Sequence, residues 1–318
     1  MKFMKRLRRY FPQYTVANVL AMLQNSKREP EKCEERFDGK LVVITGATSG
    51  IGRCTAKKYA SMGADLVLIN RNRQKSSQLC DEIKNDYSVE CSDLIADLSS
   101  IEEVERACTE LLSEERPVDV LILNAGLFMK KRTETVDGLE TVFAVNYFSA
   151  FLMTWRLQAK LKKQESCRII LVSSEGHRFA AWGLRMDDLQ WKKRLYHGLS
   201  NYGEAKLAQL LSMRIFAEDF EGSGVTINAM HPGAVKTDSG KDNSKLYKWY
   251  KKNVMERNLK DPDVSAEALY YLGVSPETAG INGKFFSLTT LEDPAPPAVD
   301  DEAARQIWEV SKAIRGLE

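Results

Sequence analysis

The sequence predicts an α/β protein with a doubly wound Rossmann fold: a mostly parallel, seven-stranded sheet with helices on both faces. Three observations predict it. Short apolar, β-branched runs recur along the chain, helix-length amphipathic segments separate them, and the first run leads through a glycine-rich turn into a helix. Such alternation implies right-handed βαβ units.

The elements follow in order. LVVIT (41–45) is a continuous apolar run ended by glycine, the mark of a strand buried on both faces. DLVLIN (65–70), CSDLIA (91–96), VDVLIL (118–123), RIILVS (168–173), VTINAM (225–230) and KFFSL (284–288) have the same character. Helices are expected over 51–62, 73–86, 100–114, 136–163, 202–220, 246–257 and 264–273. LEDPAPPAVD (291–300) reads as a loop and 301–315 as a closing helix. The expected strand order is 3-2-1-4-5-6-7. This makes one domain over residues 37–318, preceded by a basic extension and linker over 1–36.

Composition narrows the function. The 318 residues are 43% hydrophobic and 28% charged, ample for a large core. Lys and Arg number 46 against 44 Asp and Glu, so a nucleic-acid binder is disfavoured. Cys33, Cys54, Cys80, Cys91, Cys108 and Cys167 form no C-x-x-C pair, and there are 3 histidines, so no metal site is expected. A reducing, cytoplasmic compartment fits this cysteine usage. No run approaches the ~18 apolar residues that span a bilayer. Residues 1–10, MKFMKRLRRY, carry cations and no acid. Two readings stand for residues 1–24: a helix packed on the domain or a loose tail, or a basic amphipathic anchor lying peripherally on an anionic membrane. The second would insert Phe11, Val19, Leu20 and Leu23.

The turn after the first strand is Thr45-Gly46-Ala47-Thr48-Ser49-Gly50-Ile51-Gly52. Glycines let the backbone approach a pyrophosphate, and the following helix start offers free N–H groups and a positive dipole end. The spacing is T-G-x-x-x-G-x-G, and further motifs follow: Asn124-Ala125-Gly126 after strand four, Asn146 in FAVNYFSAF, Ser173-Ser174 after strand five, Tyr202-Gly-Glu-Ala-Lys206, and His231-Pro232-Gly233-Ala-Val235-Lys-Thr237 after strand six. Together they resemble the short-chain dehydrogenase/reductase family over about residues 38–290.

Tyr202 and Lys206 are four apart and share one face of a helix. A free tyrosine titrates near 10, and a neighbouring ammonium favours its phenolate, which is the tuning a general acid/base needs. Tyr202 would give a proton to a carbonyl oxygen in reduction and take one from an alcohol in oxidation. Ser174 would hydrogen-bond the same oxygen. The resemblance implies three further roles: Ser174 rather than Ser173 as the catalytic serine, Lys206 holding the nicotinamide ribose, and Asn146 holding a water that links Lys206 to solvent. It also implies coenzyme contacts at Asp97 and Leu98, at the N-A-G stretch, and at Pro232, Gly233, Val235 and Thr237.

Coenzyme choice is read at the end of the second strand, where NAD-preferring relatives place an acid. Here Asn70 is followed by Arg71, and a guanidinium binds a 2′-phosphate where a carboxylate would repel it. NADP(H) is therefore expected, with Arg71 as the clamp; the alternative is a solvated basic loop. Asp97 also reads as a cap for the helix near 100.

Ser174 and Tyr202 lie 28 residues apart, so a long insertion (175–201) intervenes. Such insertions resemble the retinol dehydrogenase-like branch, which implies an apolar carbonyl or alcohol substrate of retinoid, steroid or lipid-aldehyde type. Trp182, Leu184, Trp191 and Leu195 either face such a pocket or pack the insertion on the core. Residues 238–257 occupy the family's lid position; there Tyr247, Trp249 and Tyr250 either cover a ligand or belong to a solvated helix. The alternatives are a polar or sugar-like carbonyl substrate, or a nucleotide-binding interaction protein without turnover, for which a broken tetrad would be the sign. The resemblance also implies a homodimer through the helices of 136–163 and 202–220. His177 reads as a loop residue.

Overall fold

The structure is a computed structural model that describes residues 3–15, 22, 24, 25, 28–233 and 261–317. In chain order the elements are α1 (Phe3–Tyr10), β1 (Leu41–Thr45), α2 (Gly50–Ser61), β2 (Asp65–Asn70), α3 (Arg73–Tyr87), β3 (Cys91–Ile95), α4 (Ile101–Ser113), β4 (Val120–Leu123), α5 (Ser149–Leu161), β5 (Cys167–Val172), α6 (Gly198–Asp219), β6 (Val225–His231), α7 (Pro262–Val274), β7 (Phe285–Ser287), β8 (Thr290–Leu291) and α8 (Asp301–Arg315).

The sheet order is β3-β2-β1-β4-β5-β6-β7-β8. Pairing is parallel from β3 to β7 and antiparallel only between β7 and β8. Two-residue periodicity then divides the core. Val43, Val67, Leu121, Ile169 and Ile227 face one layer with α4, α5, α6 and α8. Val42, Leu66, Val120, Ile170 and Met230 face the other, with α2, α3 and α7. Burial on both faces explains why the strands read as unbroken apolar runs.

The structure refines several expectations. The sheet has eight strands, because the chain after β7 turns back at Leu288, a left-handed residue (φ +55°), and pairs briefly as β8. Residues 291–300 also hold a 3₁₀ turn at Pro296–Val299. The helix expected from 136 begins at Thr141, after a turn closed by a Glu134–Glu140 bridge. It passes through a π-helical stretch, Ala144–Phe148, before α5. Ser100 caps α4, accepting from the Glu103 N–H, so Asp97 is not its cap. The expected helix at 246–257 and the lid segment 238–257 lie outside the described residues.

The extension is docked. Tyr10 is buried and donates to Asp300 at 2.6 Å, Arg9 pairs with Asp300 and Glu302 at 2.6 Å each, Arg6 donates to the Leu184 carbonyl, and Tyr14 donates to the Ala181 carbonyl. Phe11 is 65% exposed. Val19, Leu20 and Leu23 lie outside the described residues. Further along, Tyr270 donates to the Glu35 carbonyl and Cys33 is buried.

α8 lies across α5 and α6, the two helices that the resemblance assigns to a homodimer. Trp308 packs against Phe151, Trp155 and Phe216 with ring centroids 5.2, 5.5 and 4.6 Å away. Below it, Tyr147 hydrogen-bonds both Ser212 and Ser311. Trp308→Ala is expected to destabilise the chain by about 3 kcal/mol, the low end of the range for large aromatics because Trp308 is partly exposed. A denaturant midpoint unchanged from the parent would contradict this.

Candidate active site

Because β1 to β6 run parallel, their C-terminal ends share one edge of the sheet. That edge collects the glycine turn (46–52), Asn70-Arg71, Asp97-Leu98, Asn124-Ala125-Gly126, Ser174 and His231-Pro232-Gly233. Val235 and Thr237 lie outside the described residues.

The glycine turn is locked to the end of β4. The Thr45 hydroxyl accepts from the Asn124 and Ala125 N–H groups at 2.9 and 3.0 Å. The Asn124 carboxamide donates to the Thr45 and Gly46 carbonyls at 2.9 and 3.0 Å. Gly46 adopts φ +69°. A Cβ on Gly52 would stand 2.3 Å from the Gly46 carbonyl oxygen and 2.6 Å from Asn124 Nδ2, so this close crossing admits only glycine. Ser49 precedes α2 without a side-chain cap, which leaves the first-turn N–H groups pointing out beside Thr48, Gly50 and Ile51. This cradle of small residues at a helix start fits a nucleotide pyrophosphate.

At β2, Asn70 is buried with both amide ends engaged. Its Oδ1 accepts from the Ala47 N–H at 2.7 Å and its Nδ2 donates to Ser76 Oγ at 2.9 Å. Asn70 thus braces the glycine turn. Arg71 stands 74% exposed, 3.7 Å from Asp97. Asp97 also accepts from the Ser99 N–H, and Leu98 is partly buried beside it.

At the other half of the edge, the Ser174 hydroxyl accepts from the Gly176 N–H at 2.9 Å. Ser173 is buried with no hydrogen-bond partner for its hydroxyl. Tyr202 lies on α6 against this turn, so close that a Cβ on Gly176 would stand 2.6 Å from its ring. A Cβ on Gly203 would likewise stand 2.8 Å from the Gly176 carbonyl oxygen. Phe128 packs edge-on to Tyr202 with centroids 6.1 Å apart. Lys206, one turn on, is buried and donates to the Val172 carbonyl at 2.7 Å. Asn146 sits in the π-helical stretch and exchanges two hydrogen bonds with Leu127, at 2.7 and 2.8 Å. Such one-turn π segments often mark functional positions.

Burial dominates the electrostatics of the Tyr202–Lys206 pair. Burial holds the Tyr202 phenol above its ordinary value, and the Ser174 hydrogen bond acts against that rise. Burial takes the Lys206 ammonium down to about 7. Burial also raises the Glu175 carboxyl to about 7, with Arg178 opposing and Glu292 reinforcing the rise.

The insertion packs inward. Leu184 and Trp191 are buried, Leu195 is 95% exposed, and Trp182 meets Phe11 and Tyr14 of the extension. Trp191 takes a left-handed conformation (φ +51°) with the Arg194 guanidinium stacked 3.5 Å from its ring centroid. These four side chains do not converge on one pocket. Tyr247, Trp249 and Tyr250 lie outside the described residues. The sequence motifs assign no separate role to Thr45, Gly176 or Gly203. Their signals are a threonine before the glycine turn and two small residues near the Ser–Tyr motif.

The family model for short chain dehydrogenase matches residues 40–183, and that described as Enoyl-(Acyl carrier protein) reductase matches residues 188–288. The chain is 34% identical to human (Homo sapiens) Retinol dehydrogenase 13 over 88% of its own length and 86% of the relative's. The chain belongs to the short-chain dehydrogenase/reductase family. Human Retinol dehydrogenase 14 is 35% identical over 88% of this chain and 87% of that protein, which sets the chain in the retinol dehydrogenase-like branch of this oxidoreductase family. A putative NAD(P) dependent gluconate 5-dehydrogenase from Beutenbergia cavernae, solved with bound NADP at low occupancy, shares the fold. Its TM-score is 0.63 at 23% identity, covering 80% of this chain and 96% of that one. Among the described residues no helix is long and apolar enough to cross a membrane, and no cluster of metal-ligating side chains occurs.

Lys206 yields a pH prediction. Its folded value of about 7 lies below the 10.5 of a free lysine, so the unfolded chain binds the extra proton between those limits. Lys206 therefore contributes stability that grows as pH goes from 7 towards 9, while the thiols of Cys54, Cys108 and Cys167, held above their ordinary values by burial, act in the opposite sense as pH passes that of a free thiol. The Glu175 shift acts below this window. The melting temperature of Lys206→Met relative to the parent should therefore fall between pH 7 and 9, because the thiol contributions are common to both; a difference that does not change with pH would refute it.

Proposed function

We propose that the protein is an NADP(H)-dependent oxidoreductase that interconverts a carbonyl and an alcohol on an apolar substrate of retinoid, steroid or lipid-aldehyde type. The observation that carries this is the seating of Tyr202 against the Ser174 turn, with Lys206 one helical turn away, on the edge that also holds the glycine cradle.

The coenzyme would lie over Gly46, Thr48, Ser49, Gly50, Ile51 and Gly52, with its adenine end near Asp97 and Leu98 and its nicotinamide end near Asn124, Ala125, Gly126, Pro232 and Gly233. When bound it supplies or accepts the hydride. The chain's own residues handle the proton. Ser174 accepts the Gly176 N–H, so its own O–H has one donation to make, to the Tyr202 phenol oxygen without substrate and to the substrate oxygen when one is bound. Tyr202 gives the proton to that oxygen in reduction and takes it in oxidation. Lys206, its ammonium brought down to about 7 by burial, would be the next group to relay that proton, and Asn146 steadies the loop after Gly126.

Arg71 supports NADP(H) over NAD(H): it is exposed, and the strand-end position that would carry an acid is filled by the internally engaged Asn70. The substrate class rests on the branch to which the chain belongs. Peripheral contact with a membrane surface is supported by Met4 and Phe11, exposed on the docked extension together with Lys5 and Arg8.

Two outcomes test this reading. Tyr202→Phe should lower NADPH-linked reduction of retinal by at least about 100-fold while leaving NADPH affinity within about threefold. Comparable turnover in this variant would remove the tyrosine from the chemistry. Arg71→Ala should weaken NADPH binding by about 10-fold and leave NADH binding unchanged, as read by quenching of tryptophan fluorescence. Equal loss for both coenzymes would deny it the 2′-phosphate.

A further inference from the structure

The Ser174 turn is held from below by groups given no role so far. His177 is fully buried, its ring edge-on to Phe285 with centroids 5.1 Å apart. Its Nε2 faces the Ala295 N–H at 3.0 Å and so must be the acceptor there. The ring proton therefore sits on Nδ1, and Nδ1–H donates to the Ser174 carbonyl at 2.8 Å. The His177 backbone N–H donates to the same carbonyl at 3.2 Å. Burial holds the imidazole neutral, with a pKa of about 3, so this tautomer persists at physiological pH. The next residue, Arg178, reaches from Glu175 to Glu292 at 2.9 Å and to the Asp293 carbonyl at 3.0 Å. Glu292 in turn accepts from Asn25 of the extension at 2.9 Å. The serine turn is thus pinned to residues 292–295 on both sides of its carbonyl.

We propose that His177 is a positioning residue for Ser174: its Nδ1–H fixes the Ser174 carbonyl, and this aims the Ser174 hydroxyl at the oxygen that Tyr202 also serves. The proposal rests on the roles of Ser174 and Tyr202 given above. Its physical content is orientation. Ser174 Oγ is already committed as acceptor to Gly176, so the direction of its O–H follows the setting of the turn. Any buried imidazole must satisfy its ring nitrogens, so what singles out His177 is the identity of its partners. Both nitrogens are engaged, and one of them holds the carbonyl of Ser174 itself.

The test uses His177→Leu and His177→Asn in the full-length protein, each also combined with Ser174→Ala. NADPH-linked reduction of retinal is followed alongside NADPH affinity and melting temperature. His177→Leu should lower kcat by about 10-fold, the effect of a small misplacement at a reacting centre, with KM and NADPH affinity within about twofold. His177→Asn retains a donor near the Nδ1 position and should recover most of kcat. On the Ser174→Ala background, His177→Leu should lower kcat no further, because the group it positions is gone. Equal loss on both backgrounds, or no recovery with Asn, would overturn the proposal. Hydrogen exchange over residues 174–178 gives a readout that needs no turnover. Faster exchange in the Leu variant than in the parent and the Asn variant is expected, and unchanged exchange overturns the clamp. If the parent reduces no carbonyl while exchange behaves as expected, the functional reading fails and the clamp stands.

Discussion

The candidate site depends on one crossing, where Gly52 passes under the Gly46 carbonyl and the Asn124 carboxamide bridges the ends of β1 and β4. There is no room for a methyl group at Gly52, since a Cβ would stand 2.3 Å from a backbone oxygen that cannot move without unseating β1. The Asn124 hydrogen bonds replace strand pairing just where β1 and β4 diverge. The crevice that opens at this point of an α/β sheet is where the strand order reverses, β1 having β2 on one side and β4 on the other. The nucleotide cradle is therefore a consequence of topology, and the glycines are what make that topology sterically possible.

The chemical half of the edge uses the same device. Gly176 and Gly203 face each other across the contact between the serine turn and α6, each so close that a side chain would strike the other element. This closeness, rather than the Tyr202–Lys206 spacing alone, brings a phenol to the Ser174 hydroxyl. α6 is fixed on its outer side by Trp308 and the Tyr147–Ser212–Ser311 hydrogen bonds, so the closing helix contributes to the rigidity of the site without touching it.

Much of this is legible in the sequence, and the parts that are not share a cause. Strands buried on both faces announce themselves as unbroken apolar runs, and the motif residues fall at their ends because a parallel sheet leaves them nowhere else. β8 has no counterpart among the expected strands because a two-residue pairing carries no periodic signal; it follows from the left-handed turn at Leu288. Trp182, Leu184, Trp191 and Leu195 could be assigned either to a pocket or to packing, since hydrophobicity alone cannot say which surface a side chain meets. The docked extension supplies the missing partner for Trp182, through Phe11 and Tyr14. His177 read as a loop residue because its two partners, the Ser174 and Ala295 backbones, are generic in sequence and specific only in space.

Burial acts on Tyr202 and Lys206 beside the effect of their spacing. Four residues of separation suggested an ammonium that stabilises a phenolate. Burial instead takes Lys206 down to about 7 and holds Tyr202 up. Among the described residues, the influence that lowers the Tyr202 phenol is the Ser174 hydrogen bond. Its strength depends on the direction of one hydroxyl, and hence on the turn that carries it. On this argument the acidity of Tyr202 depends on the setting of Ser174, which makes the hydrogen bonds beneath the serine turn part of the proton chemistry as well as of the fold.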